Sequence, residues 1–204
     1  MNDQSLRKIQ EDMRTLKRFL QQGMDDAHAK GAKVKLDDQA RILNMACGRA
    51  DETQVVSELF LNQQTEAEII GVDLRHREIE MAQNHWKDQL PDHIKTQFLN
   101  FDATKLNEHQ SLQDKNDLAL FRHQNFWNGP KIWRSIFENT IDTIKDDGLV
   151  VITSYFDKEH ELAVRELSDQ GLELVTNLRN NNSRLVHAKS DKSVDRHLAI
   201  FRKN

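Results

Sequence analysis

Arg41-Ile42-Leu43-Asn44-Met45-Ala46-Cys47-Gly48-Arg49-Ala50 passes within ten residues from an apolar run to a glycine turn. A short run of this kind, ended by glycine, has the form of a strand buried on both faces. Gly48 lets the chain turn sharply and lets backbone approach a ligand closely. Asp51-Glu52-Thr53 then opens a helical pattern through Val55, Val56, Leu59 and Phe60. Acid in that first turn suits the positive end of the helix dipole.

The same unit recurs downstream. Residues 69–73 form a second strand, and residues 75–90 a helix stopped by Pro91. Residues 98–102 and 117–121 are a third and a fourth strand. Pro130 opens a helix carrying Ile132, Trp133, Ile136, Phe137, Ile141 and Ile144, and Asp147-Gly148 turns into a fifth strand at 149–153. A helix over 157–170 precedes strand-like segments at 172–175 and 197–201. Strands alternating with helices mean βαβ units and a mainly parallel sheet. The last two strands are joined by a polar loop, and such a pair is free to run antiparallel. The expected fold is α/β: a Rossmann-like, doubly wound, mainly parallel seven-stranded sheet with an antiparallel last strand.

Upstream, Leu6, Ile9, Met13, Leu16, Phe19 and Leu20 recur at helical spacing, so residues 5–22 predict an amphipathic helix with Gly23 as its stop. The polar stretch to Gln39 reads as a linker. The chain therefore divides into a helix and linker over 1–40, a lid or a packing segment, and a main domain over 41–204.

A chain of 204 residues is long enough to bury one sizeable core. No apolar run approaches the roughly 20 residues that span a bilayer. The start, Met1-Asn2-Asp3-Gln4-Ser5, carries acid and lacks the pattern of a signal peptide. Cys47 is the single cysteine, which excludes an internal disulfide and a cysteine-cluster zinc site and fits a reducing, cytoplasmic setting. Net charge is -4, so the whole does not attract polyanions. Residues 179–203 are basic, with Arg179, Arg184, Lys189, Lys192, Arg196, Arg202 and Lys203. No aromatics are interleaved for base stacking, so this segment reads as solvated surface rather than a nucleic-acid patch.

In an open parallel sheet, ligands bind beyond the carboxyl ends of the strands, where strand order reverses. Asp73 ends the second strand, roughly where such a unit places the acid that grips a ribose diol. A carboxylate accepts both hydroxyl protons. Asp102 ends the third strand, to accept from an exocyclic amine or to cap a helix. Residues 41–50 resemble the first motif of class I S-adenosylmethionine-dependent methyltransferases. Ile70-Gly71-Val72-Asp73-Leu74 resembles their second, and Phe98-Leu99-Asn100-Phe101-Asp102-Ala103 their third. The likeness runs from about Arg41 to Phe201 and includes the antiparallel last strand, which dinucleotide dehydrogenases generally lack. It implies S-adenosyl-L-methionine as cofactor, cradled in its methionine portion by Ala46, Cys47 and Gly48. It further implies Asp73 on the ribose, Leu74 against the adenine, and Asp102 with Ala103 at the adenine amine. Three residues depart from the motif: Asn44 stands where acid is common, and Ala46 and Ala50 where glycine is. Asn44 keeps its hydrogen bonds but loses the charge that meets the ligand's ammonium; Asp51 or Glu52 supplies charge nearby.

After the fourth strand, Arg122-His123-Gln124-Asn125-Phe126-Trp127-Asn128-Gly129 concentrates hydrogen-bonding groups and two aromatics. Two readings stand: Phe126 and Trp127 cap the core, or Arg122, Asn125, Phe126 and Trp127 wall a substrate pocket. In the second, His123 is the general base or orients the acceptor, a role that suits imidazole because it titrates near neutrality. The Asn/Asp-Pro-Pro-aromatic motif of amino-methylating enzymes is absent here, which argues against base methylation. Tyr155, the only tyrosine, follows the fifth strand and is either a second catalytic group or a packing residue. The loop from 176 to 196 starts on the binding side, with Arg179, Arg184 and His187 available to an anionic acceptor. His76, His85 and His93 read as solvent-facing, no His-Glu-x-x-His pattern occurs, and no metal site is expected.

The sequence thus points to a methyltransferase acting on an unidentified acceptor, with a small molecule favoured over nucleic acid, no membrane, and oligomeric state open. Two alternatives stand beside it. One is a non-catalytic domain of the same fold that binds cofactor or a protein partner. The other is an NAD-dependent oxidoreductase, which would prefer a fuller Gly-x-Gly-x-x-Gly turn than residues 48–53 supply.

Overall fold

A computed structural model describes residues 3–188 and 190–204; Met1 and Asn2 of the acid-bearing start and Lys189 of the basic segment lie outside the described residues. Seven strands form one sheet: β1 (Ala40–Met45), β2 (Ala67–Asp73), β3 (Ile94–Asn100), β4 (Asn116–Arg122), β5 (Ile144–Ser154), β6 (Glu173–Arg179) and β7 (His197–Arg202). Their order is β3-β2-β1-β4-β5-β7-β6. Neighbours are parallel from β3 through β5. β7 runs antiparallel to β5 and β6 on either side of it. Among the described residues the α-helices are α1 (Asp3–Ala29), α2 (Thr53–Phe60), α3 (His76–Trp86), α4 (Pro130–Thr143) and α5 (Asp157–Asp169). Among the described residues no helix is long and apolar enough to cross a membrane.

The continuous apolar runs follow from helices on both faces of the sheet. Successive strand side chains point to opposite faces. Ile42, Ile69 and Val151 therefore join one core with α1 and α2, while Leu43, Ile70 and Val150 join the other with α4 and α5. Strand order reverses between β1 and β4, and the crevice at their carboxyl ends is where a ligand is expected.

Several boundaries differ from the sequence reading: Ile144, expected on the fourth helix, opens β5, and the sixth strand runs to Arg179. α1 does not stop at Gly23 but continues to Ala29. Gly23 lies against β7, where an added Cβ would stand 2.4 Å from Leu198 Cδ2. Glycine there serves close approach of helix to sheet. α3 ends at Trp86, before the stretch leading to Pro91. β3 starts at Ile94, where Ile94 N donates to Pro91 O and the strand pairs from Ala67 onward, and it ends at Asn100. Asp102 therefore lies beyond the strand.

Candidate functional site

The turn after β1 is left-handed at three residues: Ala46 (φ 53°), Gly48 (φ 55°) and Ala50 (φ 53°). Alanine thus keeps the backbone shape that glycine gives the resembled motif, at about 1–2 kcal/mol for each left-handed residue. Cys47, between them, is buried, and burial pushes its thiol pKa up. The Gly48 N–H donates to Asp73 Oδ2 at 2.8 Å. Asp73, only 5 % exposed, also receives the Arg75 N–H (2.8 Å) and Nε (3.0 Å) on Oδ1, and Arg75 Nη2 (3.0 Å) on Oδ2. Burial alone would raise this carboxyl; the hydrogen bonds from Arg75 and from the Gly48 backbone outweigh it and hold the pKa below the ordinary range. Leu74 is exposed beside it.

Asn44 lies beneath the turn, buried, and donates Nδ2 to Glu52 Oε1 at 2.5 Å; its Oδ1 is buried without a hydrogen bond. Glu52 therefore brings a carboxylate up next to the position where the resembled motif carries acid. It stands at the N-cap of α2 but makes no capping bond; its side chain turns inward to Asn44 and Arg122 instead. Arg122, its side chain 13 % exposed, donates Nη1 to Glu52 (3.3 Å) and Nε and Nη2 to Asp195 (3.1 and 2.9 Å). Burial opposes its charge, but Asp195 and Glu52 overcome that and raise its pKa. One guanidinium faces two carboxylates here, so this buried set is richer in acid than in base.

His123 sits at φ 59° and stacks on Tyr155 with ring centroids 3.8 Å apart. Its Nε2 is 2.8 Å from Asp195 Oδ1 and 3.2 Å from the Asp195 amide nitrogen. The Asp195 N–H donates to Nε2, so in a neutral ring the proton sits on Nδ1. Burial lowers the His123 pKa below its ordinary value, against the opposing pull of Asp195. Tyr155 is raised by its own burial, and Lys192 Nζ lies 4.0 Å above its ring.

These groups border one cavity of about 250 Å³, lined by Ala46, Cys47, Gly48, Asp51, Glu52, Arg75, Arg122, His123 and Tyr155. The structure thus brings together the first turn, Arg122, His123 and Tyr155, as expected. It separates others. Phe126 turns into the core and stacks on Phe137, 5.8 Å away, so it is no pocket wall. Trp127 is 42 % exposed and leans on Phe156, and Asn125 is exposed and accepts from Asn128. The cause is the 3-10 turn Phe126–Asn128, which sends successive side chains to different sides. Asp102 caps the 3-10 turn Ala103–Glu108, Oδ1 accepting from Thr104 N and Oγ1, and Ala103 packs into the core.

Sequence reasoning missed Asp195 and Arg75. Asp195 comes from the polar β6–β7 loop, 72 residues after His123, and no local pattern marks it. Arg75 did leave a signal: it occupies the N-cap of α3, where a cation opposes the helix dipole and Ser, Thr, Asp or Asn is preferred. Four arginines of the basic segment pair with carboxylates of the chain. Arg184 pairs with Asp12, Arg196 and Arg179 with Asp157, and Arg202 with Glu173.

A family profile described as a methyltransferase domain matches residues 36–202. No curated protein matches the sequence. Among solved structures, the chain is similar to magnesium protoporphyrin IX methyltransferase from Synechocystis, determined with bound S-adenosylmethionine. Identity is 11 %, covering 96 % of this chain and 84 % of that one, with a TM-score of 0.64. It is similar also to an S-adenosylmethionine-dependent methyltransferase from Clostridium acetobutylicum (11 % identity, 94 % and 92 % covered, TM-score 0.63). An N-methyltransferase from Bradyrhizobium japonicum shares 17 % identity over 82 % of this chain and 87 % of its own, with a TM-score of 0.59. At such identities the likeness is one of fold, and the family rests on the profile that spans most of the chain. The chain belongs to the methyltransferase-domain family that this profile describes.

Proposed function

We propose that the chain binds S-adenosylmethionine across the crest of β1 and β2 and transfers its methyl group to a small-molecule acceptor. The observation that carries this reading is the meeting of the left-handed turn 46–50 with the buried carboxylate of Asp73, joined by the Gly48 N–H. Those residues fit the cofactor: backbone shaped for close approach, an acid for a diol, and an acid-rich floor suited to a cation. The cofactor supplies a methyl group already activated by its sulfonium. Ala46, Cys47 and Gly48 would hold the methionine portion and Asp73 the ribose, with exposed Leu74 toward the adenine. Glu52 takes over the role of the acid that Asn44 replaces.

The protein's remaining task is alignment, exclusion of water and, for a protic acceptor, removal of a proton. His123, its Nε2 held by the Asp195 N–H, would orient a protic acceptor through Nδ1–H. Tyr155 holds the imidazole plane. A small acceptor is supported by the pairing of Arg179, Arg184, Arg196 and Arg202 with carboxylates of the chain, which leaves these cations compensated rather than open to nucleic acid.

Calorimetry with S-adenosylmethionine, its demethylated product and NAD tests the reading. Binding of the first two and not the third is expected, weakened at least tenfold in Asp73→Ala. Labelled cofactor incubated with cell extract then locates the acceptor. His123→Ala should cut labelling while leaving cofactor affinity near the wild-type value. Failure of both methyl-cycle compounds to bind would favour a non-catalytic domain, a reading to which the Arg75 pairing with Asp73 lends support.

A further inference from the structure

Asp73 is full. A carboxylate offers about four acceptor sites, and here they take Gly48 N–H, Arg75 N–H, Arg75 Nε and Arg75 Nη2. No site is left for the two hydroxyls of a ribose. The same guanidinium also covers the turn, for a Cβ built on Gly48 would stand 2.9 Å from Arg75 Nη2. Arg75 is one wall of the cavity, whose volume of about 250 Å³ falls below the roughly 300–1,000 Å³ usual for small-molecule sites. The Asp73 side chain is 5 % exposed while that of Arg75 is 63 % exposed, so the carboxylate is fixed and the guanidinium is the member free to leave.

We infer that Arg75 occludes the ribose subsite and competes with the cofactor for Asp73. This rests on the reading that Asp73 receives the ribose. When Arg75 swings into solvent, its backbone N–H and that of Gly48 stay on the carboxylate, and the two side-chain sites open. A vicinal diol donates two hydrogen bonds into that gap and replaces what the guanidinium gave up; a ligand without the diol has nothing with which to displace it. Arg75 thereby sets cofactor affinity and selects for the diol. Half of the ion pair faces water, so the competition is modest and sensitive to salt.

Titration calorimetry with S-adenosylhomocysteine tests this on the wild type and on Arg75→Ala, at low and high sodium chloride. Removing the side chain should tighten binding about three- to tenfold. Raising salt should tighten binding to the wild type about two- to threefold and leave the variant unchanged. Circular dichroism melting of the variant checks that the fold persists. Binding by the wild type with equal or weaker binding by Arg75→Ala would overturn the inference and make Arg75 a ligand contact. Absence of binding by both proteins would overturn the cofactor reading as well.

Discussion

Ala50 is fully buried at φ 53°, and Ala46 shares that angle. A Cβ in the left-handed region costs about 1–2 kcal/mol, partly offset because glycine loses about 0.5–1 kcal/mol more backbone entropy on folding. Ala50→Gly should therefore raise stability by about 0.5–1 kcal/mol, read as a higher urea midpoint at unchanged slope. A fall in the midpoint would mean that the methyl's packing outweighs the backbone strain. The left-handed turn was not legible, since alanine in a sequence carries no signal of positive φ; the resemblance marked Ala46 and Ala50 only as places where glycine is common. Asp73 was legible because it closes a patterned strand. Its partner Arg75 was legible only as a misfit at a helix start.

At the level of elements, α5 starts over a buried acid. Glu159, 1 % exposed, receives the Tyr155 N–H and steadies the segment that carries Tyr155. Burial raises its pKa from 4.5 to about 7, against the backbone hydrogen bonds and Lys192. Folding thus tightens its proton. Its contribution to stability is complete below about pH 4.5 and is lost as pH climbs toward 7. The next residue does the reverse. Burial lowers His160 from 6.5 to about 4, so its contribution is lost as pH falls from 6.5 toward 4. The two slopes oppose each other over most of that window. Glu159→Gln removes one of them. The variant should match the wild type at pH 4 and exceed it by about 1–3 kcal/mol at pH 8. Its own stability should rise steadily from pH 4 to 6.5. Urea unfolding at three pH values checks this, and a pH-independent difference would exclude the titration. The helix itself was plain from periodicity; the burial of Glu159 was not, because an acid in a first helical turn ordinarily faces solvent.

For the whole molecule, the question is what the N-terminal helix does. Leu16, Phe19, Leu20, Met24 and Ala27 of α1 are buried in the core shared with α2 and the sheet. Each large apolar side chain so buried is worth about 1.5–3 kcal/mol, so the four large ones contribute about 6–12 kcal/mol. That is comparable with the entire 5–15 kcal/mol stability of a typical domain. Deleting residues 1–29 should leave a chain that fails to melt cooperatively, by circular dichroism and calorimetry. A soluble, cooperatively melting truncation would instead make α1 a detachable lid. The first turns of the helix lie on the binding side, where Asp12 pairs with Arg184 of the β6–β7 loop.

Strand and helix periodicity, the glycine turn and the strand-end acid are local properties of a chain, so the sequence by itself determined the sheet, its direction and the place of its binding edge. Asp195 against His123, Glu52 in place of the absent acid, Arg75 across Asp73 and the inward turn of Phe126 were decided only by the tertiary structure. Charges far apart in the chain choose their partners by where folding buries them, because a buried charge must be met by an opposite charge or a hydrogen bond. No local pattern records that choice.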